Sequence, residues 1–446
     1  TLSGGTMLKN IGLIIVCNLL MYLIIILIIK IKEKRRNKNS IYRSQNEKVE
    51  YLNKKVEELE RKIFIQEILN HAISETEINE KIYYVSQIIE KYKDEEMAYY
   101  YRGNLYIKFE KYDEAINDFN KTIELNDKCK EAYRGKGVCL ARQGHYYEAL
   151  QNYKKAISID PKYEVVHYNM GVCYSRLKKY TKAIESYTKA LNLDKNDISA
   201  YYNRGRNYNR ITRYEEAIED FTKAINLEQH DERLYYNRGI SYSLIEKHEE
   251  ALKDYKKTID INPEFEEVYY YAGFSYYLLE EYSEAIEYFT IAIEINIDYE
   301  QAYYGRALAY LKMDNYTQAI QDFNEVIYIN DKNAKAYYKR GLALDNLERY
   351  EDAIKDFSKA IELDYKDENI YYNRGTSKSL IRDLKGAKED LTTALTYNKE
   401  EFRIYDVRGM VNLELNKYEE AIDDVTSSLN FLHSSICYYY SGLDYY

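Results

Sequence analysis

The residue types that make and break bonds are thinly and irregularly spread along this chain. Six histidines, His71, His145, His167, His230, His248 and His433, share no spacing that would pair an acid with a base or gather ligands round a metal. No glycine-rich phosphate loop, zinc-ligand spacing or nucleophile signature occurs. The carboxylates recur at repeating positions where solvated helix faces account for them better than acid and base pairs. The chain therefore reads as non-enzymatic, with no cofactor and no metal. Cys139 and Cys173 lie 34 residues apart and read as buried small hydrophobes in preference to a metal or redox pair. What does recur is recognition chemistry. Tyr168, Tyr202, Tyr236, Tyr270, Tyr304, Tyr338 and Tyr372 follow one another at steps of 34. Asn169, Asn203, Asn237 and Asn373 share that step, as do Arg142, Arg176 and Arg210. A phenol offers a flat apolar ring with a hydroxyl, an amide donates and accepts together, and a guanidinium grips carboxylates.

The elements that must hold such rows follow from the same period. Steps of 34 from Gly103 give Gly137, Gly171, Gly205, Gly239, Gly273, Ala307, Gly341, Gly375 and Gly409, and twelve residues after each stands an alanine, from Ala115 to Ala421. Small residues at both places let two antiparallel helices approach closely. Bulky residues recur in phase, among them Tyr174 and Tyr208 in the first helix and Phe119, Tyr153, Tyr187, Phe221, Tyr255, Phe289, Phe323 and Phe357 in the second. The only two prolines, Pro161 and Pro263, fall at one place in their repeats, just after the second helix. Residues 96–435 are thus ten copies of one two-helix unit, and the class is all-α.

This pattern resembles the tetratricopeptide repeat family in length, small-residue positions, aromatic placement and late proline. The family's early tryptophan is Tyr here, as at Tyr201, Tyr235, Tyr269, Tyr303, Tyr337 and Tyr371, with His167 in one copy. In the ninth and tenth copies Lys378 and Asn412 replace the first-helix aromatic, and Leu391 and Val425 the second-helix one. The resemblance implies an α-solenoid superhelix whose first helices line a concave groove holding a peptide or a partner's helix. Groove-facing positions of the family include the fifth, sixth, ninth and thirteenth of each unit. They place the tyrosine row, the asparagines and the three arginines in the groove as peptide-binding residues. Codon bias in an AT-rich genome, with helix packing, is the alternative origin of the tyrosine row. A two-carboxylate clamp of the family's kind is not expected: Lys335 and Lys339 match part of it, but Gly305, Tyr270 and Phe274 occupy its other positions.

Outside the repeats the chain divides by composition. Residues 1–10 form a short leading segment in which Met7 is a plausible start. Residues 11–29 hold no charge and, at about 1.5 Å per residue, reach roughly 28 Å, so a transmembrane helix is expected. The basic juxtamembrane segment 30–40, with Lys30, Lys32, Lys34, Arg35, Arg36 and Lys38, predicts a single-pass protein with cytoplasmic repeats. In 41–65 the stripe Val49, Leu52, Val56, Leu59 and Ile63 fits a short coiled coil, hence a homodimer, or equally a plain helical spacer. Residues 66–95 read as a degenerate capping repeat, and 436–446 as the truncated start of a further repeat.

A net charge of −10 leaves no general footprint for nucleic acid, and five cysteines without pairing motifs fit a reducing compartment. The function expected is a membrane-anchored scaffold or adaptor that binds protein or peptide partners in its groove. The alternative is a targeting or substrate-recruiting arm of an enzyme whose catalytic domain is absent from this sequence.

Overall fold

The computed structural model describes the backbone of residues 23–30 and 39–443, and the side chains of 23–30 and 47–431. It falls into an N-terminal body, Thr1–Asn207, and a C-terminal body, Tyr208–Tyr446. Among the described residues all regular structure is helical. First helices begin at Glu96, Lys130, Glu164, Ile198, Glu232, Glu266, Glu300, Ala334, Glu368 and Phe402, and second helices start sixteen residues after each. Within each body successive helices of the repeats pack on one another, and several first helices of consecutive repeats also touch, which makes an α-solenoid.

The small positions work by direct contact with an aromatic ring. A Cβ added to Gly137 would stand 2.5 Å from the Tyr153 ring, and one on Gly239 would stand 2.5 Å from Tyr255. Those tyrosines, with Phe119, Tyr187, Phe289, Phe323 and Phe357, are almost wholly buried. The glycine therefore makes room for the second-helix ring of its own repeat, and the next repeat closes the other side: Gly135 meets Phe119, and Gly305 meets Phe289.

Two turns punctuate each repeat. The first helix ends on a residue with φ near +60°, as at Glu110, Lys178, Glu246 and Glu280, with glycine only at Gly144. The following N–H then bonds back to the first helix, as from Lys111 to the Tyr106 carbonyl (2.9 Å) and from Glu281 to the Tyr276 carbonyl (2.9 Å). In most repeats the second helix ends on Asn or Asp, whose side chain accepts the N–H two residues on, as at Asn126, Asp160, Asp194 and Asn330, and Glu228 does the same in the fourth. In the tenth repeat that position is Leu432, which carries no acceptor, and the helix Tyr418–Leu443 runs on through the turn site. The segment read as the start of a further repeat is, as far as residue 443, continuous helix.

Before the repeats, α1 (Asn39–Ser74) runs unbroken past residue 65, and α2 (Ile78–Lys91) lies one period ahead of the second helix Tyr112–Leu125. The end of α1 and α2 together cover the first repeat through Ala72, Val85, Ile88, Ala98 and Tyr99. Leu69 and Val85 stand where the repeats carry glycine and an aromatic, so the large and small partners are levelled. Arg61 ties the pair down through Asp94 and Glu95, both at 2.9 Å.

Among the described residues no helix is long and apolar enough to cross a membrane. Positions 11–22 of the expected span, the leading segment 1–10 and most of the basic segment lie outside the described residues. Residues 23–30 are helical and leave Leu23, Ile24, Ile25, Leu27 and Ile28 exposed.

Candidate functional site

The first-helix faces carry the candidate residues, and the structure assigns the tyrosine row two duties. Tyr168 lies on Tyr187 (ring centroids 5.6 Å), Tyr270 on Phe289 (5.9 Å), Tyr304 on Phe323 (5.7 Å) and Tyr338 on Phe357 (6.0 Å). Each ring thus roofs the core aromatic of its repeat, while most of the row stays half-buried with an edge at the surface. Burial raises their phenols, with Tyr304 pushed up to about 12 and Tyr168, Tyr236, Tyr270 and Tyr338 also up. They stay neutral donors and acceptors at any physiological pH. Tyr202 and Tyr372 are half-buried under the guanidinium groups of Arg206 (5.5 Å) and Arg403 (5.8 Å).

The asparagines bind to the row as well as to the surface. Asn203 Nδ2 donates to Tyr168 Oη (3.1 Å), and Asn373 Nδ2 to Tyr338 Oη (3.1 Å), so each amide links its repeat to the phenol of the repeat before. Asn237 Nδ2 donates to the Arg233 carbonyl (2.8 Å). In the N-terminal body Tyr168, Asn169, Arg142 and Arg176 come together round one cavity of about 460 Å³. Arg210 ends the helix Ile198–Arg210 and falls in the C-terminal body.

Other side chains on these faces were not singled out by the sequence. Arg134 takes the fifth position of its repeat in place of tyrosine, and its Nε is buried without a partner among the described residues. In the C-terminal body the ninth and thirteenth positions expose Leu244 (51%), Phe274 (38%) and Leu278 (45%). They adjoin a run of rings in which Phe274 stacks with Tyr270 and Tyr277, both at 6.3 Å. The signal was available, since the resemblance marks those positions as groove-facing.

A second missed set holds the faces in place. Arg238 donates from Nε and Nη2 to the two carboxylate oxygens of Asp254 (2.8 and 2.7 Å) and from Nη1 to Thr222 of the preceding repeat (3.0 Å). Arg306 does the same with Asp322 and Thr290, Arg340 with Asp356 and Asn324, and Arg374 with Asp390 and Ser358. These forks lock first helix to second helix and repeat to repeat, with the aspartates nearly fully buried. For Asp254 and Asp322 burial outweighs the guanidinium and moves the carboxyl up from its ordinary range. Where the arginine is missing the aspartate is missing too: Met170 faces Ser186 and Ala272 faces Tyr288. Arg408 holds Asp424 in the tenth repeat, and in the drifted repeats Lys378 and Asn412 turn to the fork aspartates, Asp390 (2.8 Å) and Asp424 (2.8 Å).

Cys139 and Cys173 are buried free thiols, both raised to about 12 by burial. Among the described residues no three His, Cys, Asp or Glu side chains converge as metal ligands. The early-tryptophan position explains its own substitutions. Tyr269 donates to the Pro263 carbonyl (3.1 Å), and His167 Nε2 reaches the Pro161 carbonyl (3.0 Å), so either side chain pins the turn between repeats.

Comparison with solved structures returns helical-repeat proteins. MamA from Desulfovibrio magneticus is 26% identical, over 39% of this chain and 98% of that one, with a TM-score of 0.38. YrrB, described as a TPR protein with an unusual peptide-binding site, is 25% identical over 41% and 93%, at 0.37. The C-terminal part of a TPR repeat-containing protein from Cytophaga hutchinsonii is 18% identical over 54% and 98%, at 0.48. A search of curated proteins found no match. Tetratricopeptide repeat models match residues 97–129, 165–197, 198–231, 232–265, 266–299, 300–333 and 334–364, and a further TPR repeat model matches 139–178. Together these take in more than half of the sequence, and the chain belongs to the tetratricopeptide repeat family.

Proposed function

We propose that the chain is a scaffold that captures protein or peptide segments on its first-helix faces and is held at a membrane by residues 11–29, with the repeats in the cytoplasm. The observation that carries the capture reading is the exposed trio Leu244, Phe274 and Leu278 beside half-buried tyrosines. Apolar side chains left open on a rigid platform favour association, because covering them releases water at about 25 cal/mol per Å². The membrane reading is supported by the charge-free run 11–29, the basic residues after it and the exposed apolar side chains at 23–28.

The test is capture of partners by the full chain and by Leu244→Ser/Phe274→Ser/Leu278→Ser. The triple variant keeps native helicity and loses most of its captured proteins; undiminished capture would remove these faces from the function. Protease added to sealed cells leaves the repeats intact until lysis, and digestion before lysis would reverse the topology. For α1, the proposed homodimer seam at 41–65 predicts that Leu52→Cys crosslinks to a second copy in the membrane, and monomer alone would make this segment a spacer.

A further inference from the structure

The cavity of the N-terminal body differs in chemistry from everything else on the first-helix faces. In a chain with 74 acidic residues, its lining contains no carboxylate and two arginines, Arg142 and Arg176. Both guanidinium groups are exposed and make no ion pair among the described residues. The floor is apolar and rigid: Tyr153 and Cys173 are each 1% exposed, with Val138 and Val172 beside them. Tyr146, Tyr168 and Asn169 form the remaining polar wall. Behind the floor, Arg134 adds its charge to that of Arg142 on the Tyr153 phenol.

Stabilisation of helix ends does not account for these arginines. Each closes its first helix, where a cation favours the carbonyl terminus. Yet of the seven equivalent residues of the C-terminal body only Arg210 and Lys312 are cations, while Leu244, Leu278, Asn346, Leu380 and Glu414 are not. A requirement of the helix itself would be met there too. Two unpaired guanidiniums over an apolar floor, in about 460 Å³, fit one carboxylate cluster with a neighbouring aliphatic side chain.

We propose that this cavity is an anchor for an acidic peptide segment in which carboxylates alternate with aliphatic residues. The carboxylates fork onto Arg142 and Arg176 and take an amide hydrogen bond from Asn169, while the aliphatic side chain rests on Tyr153 and Val172. The proposal rests on the scaffold reading and specifies the partner for this part of it. An extended polyanion such as a nucleic acid is disfavoured, because beyond the cavity it meets a chain of net charge −10.

The probe is a fluorescent capped peptide of alternating Asp, Leu, Glu and Leu, titrated by anisotropy into the detergent-solubilised full chain, beside its Asn/Gln counterpart. Saturable binding is expected, at least about tenfold weaker for the amide peptide and about tenfold weaker again for Arg142→Ala/Arg176→Ala. Arg142→Glu/Arg176→Glu, on exposed positions that leave the core untouched, transfers the preference to a peptide with Lys in place of the acids. Equal binding of the amide peptide, unchanged affinity in the double Ala variant, or displacement by a short oligonucleotide as readily as by the acidic peptide would each overturn the proposal. If the acidic peptide fails while Leu244→Ser/Phe274→Ser/Leu278→Ser still loses captured proteins, the anchor falls and the scaffold reading stands. Failure of both would remove both.

Discussion

The two bodies build their cores in the same way and diverge on the faces those cores support. In both, a glycine admits a second-helix ring, as Gly137 admits Tyr153 and Gly239 admits Tyr255. On the first-helix faces the N-terminal body carries Arg134, Arg142, Arg176 and Arg206, whereas the C-terminal body, beyond Arg210, carries Leu244, Phe274, Leu278 and Leu308, with Lys312 among them. Beneath those faces the difference reverses. The C-terminal body buries Arg–Asp forks at Asp254, Asp322, Asp356, Asp390 and Asp424, while the repeats around the N-terminal cavity have Lys136 with Asn152 and Met170 with Ser186. Around the cavity arginine thus stands at the surface instead of stapling repeats, although the N-terminal body keeps such a fork in its first repeat, where Arg102 holds Asp118 and Ser86. The repeat period fixes where a side chain points, and the residue placed there decides whether it holds the array together or meets a partner.

Four tests probe that contrast, and the largest effects belong to what is shared. Tyr153→Ala and Tyr255→Ala each cost about 3–5 kcal/mol, read from the denaturant midpoint of the affected body; a large cost in one only would mean the cores are not equivalent. Breaking a fork with Asp322→Ala costs about 3–5 kcal/mol by stranding the Arg306 charge, against about 1 kcal/mol or less for Ser186→Ala at the same repeat position. Equal costs would show that the forks are not what stiffens the C-terminal body. Glu280→Gly relieves a left-handed φ of 63° and raises stability by about 0.5–1 kcal/mol, as does Lys178→Gly in the other body. A loss at either site would mean that the turn is not under strain.

The smallest effect is one of pH and sits in the N-terminal body, where the described cysteines lie. Burial raises the folded-state pKa of Cys139 and Cys173 to about 12. The unfolded chain loses these protons first, so the stability held at neutral pH declines as pH rises from the ordinary thiol range towards about 12. A thiol reagent at neutral pH labels the two sites only on unfolding; labelling of the native chain would contradict their burial.

Much of the fold was legible because its rule is a period. Gly103 to Gly409 and Ala115 to Ala421 mark both helices of all ten repeats, and small residues at fixed spacing have few other causes. The turn after the first helix was illegible, because nine of the ten residues that take a positive φ at that turn are not glycine and only backbone geometry reveals them. The forks were readable in principle, as an Arg and an Asp sixteen apart that appear and vanish together, but charges on helices usually signify solvated faces. The course of the last helix depended on Leu432 replacing an Asn or Asp, a single missing acceptor at the end of a long pattern. At the candidate site the packing role of the tyrosine row was not legible. Tyr168, Tyr270 and Tyr304, read from the sequence as groove residues, each roof a core ring, so partial exposure and packing are combined in one row of side chains.

The central claim, that partners are held on first-helix faces, is tested most directly by a photo-crosslinking amino acid placed at Phe274, at Asn169 and at Tyr328 in the full chain in its native cells. Tyr328 lies on a second helix and is 86% exposed, so it reports on the outer surface with full access. Adducts to other proteins at 274 and 169 with none at 328 are predicted. Adducts at 328 with none at the other two would contradict the account.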